Sequence, residues 1–294
     1  MNNAVISREP ARRAPASRAP DLKSEQLAVL MQKLHAHAGI SIDSTKNVIA
    51  GCIQTRMQYL GIHQLENYLA TFDDSINARA EWLALIDLLT VKETRFFRQP
   101  EAYDCLAQYV DSLLTTGPAP SELSFWSAGC SLGQELYSMA MVVERVVSRH
   151  KPWLQWHGIG TDISFNAIHH AQQAIYTEEA MNSIPLVFRD SCMDEKLGGR
   201  RKVTENIRAR THFFHSNLLH VDSAPFADFN IIFCQNVLIY FERERQRWII
   251  DQLVNRLRVG GLLVLGAGED ASWLNQNVCR LQWPGVCAYK KTGG

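Results

Sequence analysis

A chain of 294 residues with 46% hydrophobic content is long enough for two compact units with a sizeable core, which excludes a fibre or a low-complexity tail. Its 30 lysines and arginines balance 30 aspartates and glutamates, so bulk charge makes no case for nucleic acid or an anionic membrane as the main partner. Cysteines stand singly at 52, 105, 130, 192, 234, 279 and 287 with no C-x-x-C pair, which argues against a disulfide framework or a zinc knuckle and fits a reducing cytosol.

Residues 1–20 carry four arginines among prolines, alanines and serines, with no apolar signal core, and are expected to form a disordered basic arm. From residue 21 the pattern turns helical. L-A-V-L-M-Q-K-L-H predicts a helix ending at Gly39, and Asp43 or Ser44 looks like the N-cap of a second helix that runs to Tyr59 or Leu60. Residues 64–72 and 78–89 repeat apolar positions at three and four spacing, so 21–98 reads as an all-helical domain. Within L-T-V-K-E-T-R-F-F-R-Q-P (89–100), Thr94, Arg95 and Arg98 suit an anionic ligand. The same stretch also reads as an anchor, with Phe96 and Phe97 packed on the next domain and both arginines in water. Residues 99–120 then predict a helix over 103–114 and a linker, T-T-G-P-A-P-S. No apolar run anywhere approaches the roughly 20 residues of a membrane span.

Residues 121–294 alternate between strand and helix patterns. L-S-F-W-S-A-G-C-S-L-G-Q-E-L-Y-S (123–138) is an apolar strand turning into a helix, where Gly129 and Gly133 clear side chains from the place a nucleoside would occupy and the helix start offers free N–H groups. The G-x-x-x-G spacing is not the G-x-G-x-x-G of a dinucleotide site, which disfavours an NAD-linked oxidoreductase. W-H-G-I-G-T-D-I-S predicts a second strand ending at Asp162, whose carboxylate can accept both hydroxyls of a ribose diol or cap the following helix, 165–174. Between 176 and 210 periodicity fades, and an insertion of short strands is expected. H-F-F-H (212–215) reads as a strand with alternating histidines rather than a metal site, and no metal is expected. F-N-I-I-F-C-Q-N-V-L-I-Y-F (229–241) reads as a buried strand tipped by Gln235 and Asn236, followed by a helix over 243–257 and the strand V-G-G-L-L-V-L-G. Such alternation implies α/β architecture, a doubly wound parallel sheet with ligand contacts at the strand tips near 129, 162, 217 and 236.

With these residues together, the chain from about Leu27 onward resembles the CheR family of S-adenosylmethionine-dependent methyltransferases, which esterify glutamates on bacterial chemoreceptors. The resemblance rests on A-G-I-S-I-D-S-T-K, E-T-R-F-F-R, W-S-A-G-C-S-L-G-Q-E-L-Y-S, G-T-D-I-S, S-N-L-L, F-C-Q-N-V-L-I-Y-F and V-G-G-L-L-V-L-G. It implies a Rossmann-like methyltransferase sheet over 121–294, with the N-terminal helical domain and the small β insertion. It also implies that Thr94, Arg98, Glu135 and Asp162 hold S-adenosylmethionine, Asp162 at the ribose, and that Asn217, Leu218, Gln235 and Asn236 line the rest of the pocket. Gly129 and Lys92 join this cofactor set, and Arg98 and Tyr240 face the reacting methyl as the catalytic pair. The implied partner is the cytoplasmic helical region of a methyl-accepting chemoreceptor, met by a cytoplasmic monomer without nucleic acid or membrane insertion.

Several positions depart from the family pattern. Lys92 stands where the family has Asn, Gln235 replaces Arg, Gln134 and Leu136 replace Glu and Pro, and G-A-G-E-D replaces G-H-S-E. Gln235 removes a charge beside the pocket, which a Lys92 ammonium would partly restore; the alternative is a catalytically weak or silent receptor-binding relative. The second helix keeps only Lys46 and Arg56 between 46 and 57, so receptor choice is expected to differ. A glutamate acceptor, with an ordinary pKa of about 4.3, is already anionic near pH 7 and needs no general base. None of the strand-tip motifs is expected to supply a cleft histidine for one. Removing Asp162 is expected to cost cofactor affinity with little change in ligand-free stability.

Overall fold

The structure is a computed structural model that describes residues 23–39, 46–73, 76–89, 93–194, 198–270 and 273–293. The basic arm, Lys92, and the Asp43 and Ser44 cap all lie outside those residues. Four helices come first: α1 (Ser24–Ala38), α2 (Lys46–Leu60), α3 (Leu65–Ala70) and α4 (Ile76–Leu89). Their apolar stripes, among them Leu30, Leu34, Ile49, Ile53, Tyr68, Leu85 and Ile86, close on one another in a cluster of their own. Arg56 is drawn inward, where its guanidinium meets the buried Glu81 carboxylate at 2.7 and 3.0 Å, and Tyr68 donates to the same carboxylate at 2.7 Å. One of the two basic residues expected on the outer face of α2 therefore serves the core.

Chain order continues through α5 (Pro100–Thr115), β1 (Glu122–Ala128), α6 (Gln134–His150), β2 (Gln155–Asp162) and α7 (Phe165–Gln173). Next come β3 (Ile175–Thr177), α8 (Glu178–Met181), α9 (Leu186–Cys192), β4 (Arg200–Lys202), α10 (Glu205–Arg208) and β5 (Thr211–His215). The chain closes with β6 (Phe229–Cys234), α11 (Arg243–Asn255), β7 (Leu257–Leu265), β8 (Val278–Arg280) and β9 (Cys287–Lys291). The main sheet has the order β5-β2-β1-β6-β7-β9-β8, with the first five strands parallel and the last two added antiparallel. This is the expected doubly wound α/β sheet, and its order reverses between β1 and β6, where open α/β sheets bind ligands beyond the carboxyl ends of the strands. β1 and β6 are buried along nearly their whole length because helices cover both faces, which is why they read as unbroken apolar runs.

Two expectations change, and the helix expected before the linker is found packed on the sheet. β6 ends at Cys234, and Leu238–Tyr240 forms a 3-10 turn, because Asn236 takes a left-handed conformation (φ 60°) that breaks the strand. The 176–210 insertion contributes only the short antiparallel β3–β4 pair and is otherwise helical turns, each too short to show a period. α5, expected to lead into a linker, buries Tyr103, Leu106 and Val110 in the same core as α6 and the sheet.

Candidate functional site

The parallel register brings the carboxyl ends of β1, β2, β5, β6 and β7 to one edge of the sheet. At the β1 tip, Gly129 (φ 91°) and Cys130 donate their N–H groups to the Thr161 carbonyl at 2.8 and 2.9 Å. A Cβ on Gly129 would come within 2.3 Å of Val237 Cγ2, and one on Gly133 (φ 93°) within 2.7 Å of Ala171 Cβ. Both glycines are thus demanded by the protein's own packing and backbone, not by ligand clearance alone. α6 begins directly after Gly133 with no side-chain cap, and the Gln134 side chain, 4% exposed, leaves its Oε1 without a hydrogen-bond partner.

Asp162 ends β2 and ties two loops together. Its Oδ2 accepts the Ser131 N–H and its Oδ1 the Ser164 N–H, both at 2.9 Å. The helix cap expected of Asp162 belongs to Ser164, whose Oγ accepts the Ala167 N–H at 2.9 Å at the start of α7. A carboxylate oxygen can accept more than one hydrogen bond. His215, paired in register with Asp162 at the end of β5, is a histidine at a strand tip that the motif reading overlooked. Its ring stacks on Phe165 at 3.6 Å and its Nε2 lies 2.9 Å from the Ile163 carbonyl, so that nitrogen carries a proton and is committed. Burial lowers its pKa, and the bond to the Ile163 carbonyl opposes that shift.

Glu135, one residue into α6, accepts the Ser127 hydroxyl at 2.7 Å. Burial pushes its carboxyl up to about 8; the Ser127 bond opposes this, the Glu269 charge adds to it, and the Arg98 charge opposes it. Glu269 is the residue that motif reading missed. It is 4% exposed, and its carboxylate accepts the N–H groups of Gly266 (2.8 Å), Asn236 (3.0 Å) and Ile239 (3.3 Å). Its signal in the sequence was an acidic residue set among glycines directly past an apolar strand, G-A-G-E-D.

The remaining predicted residues fall as follows. Phe96 and Phe97 are buried, Phe96 edge-on to Tyr176 and Phe97 stacked on Phe188, and the Phe97 N–H donates to Ser138 Oγ at 3.0 Å. That anchor delivers exposed Arg98 to the site edge, where its guanidinium donates to the Glu93 carbonyl at 2.8 Å, and leaves Thr94 half-buried. Asn217 caps the turn after β5 by accepting the Leu219 N–H at 2.9 Å, and Leu218 is buried beneath it. Gln235 donates its side-chain amide to Gln99 Oε1 at 2.7 Å, so it links β6 to the start of α5. Tyr240 packs between the sheet core and the α1–α4 cluster. Two carboxylates, an unpartnered buried amide oxygen and a helix start at one strand edge fit a ligand that carries a diol, a positive charge and a carboxylate.

Residues 92–283 match the family model described as CheR methyltransferase, SAM binding domain. The chain is 30% identical over 253 residues to the chemotaxis protein methyltransferase of Klebsiella aerogenes, covering 84% of this chain and 84% of that protein. It is 31% identical over 241 residues to chemotaxis protein methyltransferase 1 of Pseudomonas aeruginosa, covering 80% and 86%. A probable biofilm formation methyltransferase of the same organism is 30% identical over 247 residues, covering 83% of this chain and 56% of its own.

Proposed function

The chain belongs to the CheR methyltransferase family and draws its methyl group from S-adenosylmethionine, and from that premise we propose that the acceptor is a glutamate carboxylate on the cytoplasmic helical region of a methyl-accepting chemoreceptor. The product is a glutamyl methyl ester. One observation carries this reading. His215, the imidazole at the end of β5, commits its Nε2 proton to the Ile163 carbonyl, Asp162 and Glu269 accept backbone N–H groups, and Glu135, bonded to Ser127, is assigned to the cofactor's positive charge. Such a site suits an acceptor that is ionised at neutral pH and suits poorly an amine or hydroxyl that must first lose a proton.

Asp162 holds the cofactor's ribose, while Thr94, Arg98, Glu135, Asn217, Leu218, Gln235 and Asn236 form the rest of its pocket. The cofactor supplies a methyl group on a cationic sulfur. Arg98 steers the acceptor carboxylate, and Tyr240 packs beside the transfer path and keeps water out. Transfer neutralises two opposite charges, so a dry site that fixes both reactants at contact distance favours it. We assign most of the cofactor pocket to residues 121–294, with Thr94 and Arg98 added from the preceding segment, and receptor contact to α1–α4 of a cytoplasmic monomer.

The ester is tested with labelled S-adenosylmethionine and receptor-bearing membranes. Label transferred to the receptor should be released as volatile methanol by mild alkali, and Glu→Gln at the labelled receptor sites should abolish uptake. Alkali-stable label on the protein would refute a carboxylate acceptor, and cofactor binding without transfer to any receptor would mark a silent relative.

Glu135 gives the binding step a pH dependence. Its pKa of about 8, against an ordinary 4.5, means the fold favours the neutral acid. Its contribution to ligand-free stability is therefore complete below its ordinary range and is lost as pH rises through about 8. A bound cation reverses that preference. At neutral pH binding should release a proton from Glu135, and affinity should rise with pH toward 8 by at most about ten-fold per pH unit, the limit for one linked proton. Calorimetric titration at pH 7 in buffers of different ionisation enthalpy should show the release in the natural chain and not in Glu135→Gln; equal proton release in both would place the linked group elsewhere.

A further inference from the structure

α4 lies against the turn that follows β2 and the start of α7. Near the end of α4, Asp87 accepts a hydrogen bond from the Ser164 hydroxyl and another from Asn166 Nδ2 at 2.7 Å. Ser164 is 2% exposed and uses all its polar groups locally: its Oγ caps α7, its hydroxyl proton goes to Asp87, and its N–H goes to Asp162 Oδ1 at 2.9 Å. Ile163, between the two, packs into the apolar cluster of the helical bundle. Arg79, about two turns earlier on α4, is near enough to His215 to disfavour its protonation. The bundle thus grips residues 163–166 from one side, through a carboxylate and an apolar contact.

We propose that Asp87 is a positioning residue for cofactor binding: through Ser164 it holds the 162–166 turn so that the Asp162 carboxylate meets the ribose diol, and it couples cofactor occupancy to docking of the helical bundle. This rests on the reading that Asp162 grips the ribose. The geometry supports it because Ser164 has one hydroxyl proton and gives it to a carboxylate of another part of the chain, a charge-assisted bond worth more than a neutral one. Beside it stand the Asn166 bond to Asp87 and the apolar contact of Ile163. Coupling of this kind is reciprocal: what the bundle does for cofactor affinity, the cofactor does for bundle docking. Since the bundle is the part assigned to receptor contact, the link makes cofactor-loaded enzyme the form best organised to meet its receptor.

The test is calorimetric titration of the full chain with S-adenosylmethionine, comparing the natural protein with Asp162→Ala, Asp87→Ala, Asp87→Asn, Ser164→Ala and the Asp87→Ala/Ser164→Ala pair. Asp87→Ala and Ser164→Ala should each weaken affinity about five-fold or more, the lower end of ordinary site coupling. Asp87→Ala also deletes the Asn166 bond and Ser164→Ala also deletes the α7 cap, so the pair should cost less than the sum of the two single losses, the shared part being the Asp87–Ser164 bond. Asp87→Asn, which keeps an acceptor for the Ser164 hydroxyl, should recover part of the loss. In steady-state methyl transfer the loss should fall on KM for the cofactor more than on kcat. If Asp87 only glues two parts of the chain, its removal lowers the unfolding temperature while affinity stays natural, and that result overturns the proposal. Weakened binding in Asp162→Ala with natural affinity in both Asp87→Ala and Ser164→Ala also overturns it and leaves the ribose reading standing; natural affinity in Asp162→Ala removes both. Should Asp87→Ala fail to fold, Ser164→Ala decides, since it deletes the hydroxyl and leaves Asp87 in place.

Discussion

Asp162→Ala should lose cofactor affinity by about ten-fold or more and, in the absence of any ligand, should also unfold at a lower temperature than the natural chain. The first effect follows from the ribose reading. A carboxylate that accepts two hydroxyls contributes charge-assisted hydrogen bonds of roughly 1.5–3 kcal/mol, and about 1.4 kcal/mol is ten-fold in affinity. The second corrects the expectation that this residue matters to the ligand alone. Asp162 accepts the Ser131 and Ser164 N–H groups, which belong to the β1–α6 and β2–α7 loops, and Ser131 sits in a left-handed conformation (φ 48°) that needs outside support. Truncation leaves both N–H groups without their acceptor, at a cost of about 1–3 kcal/mol each where water does not replace it. Asp162→Asn keeps one acceptor oxygen and should fall between. Thermal unfolding without ligand, read beside a calorimetric titration, separates the two effects; a variant that binds normally removes Asp162 from the site, and one of natural stability means the loops hold their shape unaided.

What was legible in the sequence was the set of strand tips. A parallel strand buried on both faces is an unbroken apolar run, so its end is marked by the first glycine or polar residue, and Gly129, Asp162 and Gln235 all stand at such stops. The helical character of α1–α4 was legible for a similar reason, since each buries one stripe. What was illegible depends on partners distant in sequence. Nothing local to Gly129 says that Val237 fills the space beside it, nor does anything near Arg56 reveal Glu81 waiting in the core. Gln235 read as a lost charge, and its side chain turns out to serve Gln99, a residue 136 positions away. The turns α8, α9 and α10 hold 4, 7 and 4 residues, fewer than two helical periods, so periodicity had nothing to register. The C-terminal β8–β9 pair escaped although Pro284-Gly285 marks the turn between them, because Val278–Arg280 is only three residues long and shows no alternation.

Glu269→Leu should be the most damaging of these substitutions to fold and turnover together. The side chain is buried where the β6 and β7 tips meet, and its carboxylate takes the N–H groups of Gly266, Asn236 and Ile239. Gly266 is what lets it come so close, because a Cβ there would lie 2.3 Å from Glu269 Oε2. Those bonds shape the path from Cys234 through left-handed Asn236 to the 3-10 turn that carries Tyr240. Leucine fills a similar volume and accepts nothing. Three N–H groups left unpaired at about 1–3 kcal/mol each cost about 3 kcal/mol or more, a large part of the stability of an ordinary domain. Glu269→Gln is the informative partner. It keeps the shape and one carbonyl oxygen, gives up part of the acceptor capacity, and should fold with reduced kcat as the Asn236–Tyr240 segment loosens. It also removes a negative charge that helps hold the Glu135 pKa up at about 8. The pH at which Glu135 titrates should therefore move down in Glu269→Gln, and the proton released on cofactor binding at pH 7 should shrink with it. A Gln variant slower in turnover but with unchanged proton release would show that Glu269 acts on the turn and not on Glu135; natural turnover in the Leu variant would show that the turn to Tyr240 keeps its shape without it.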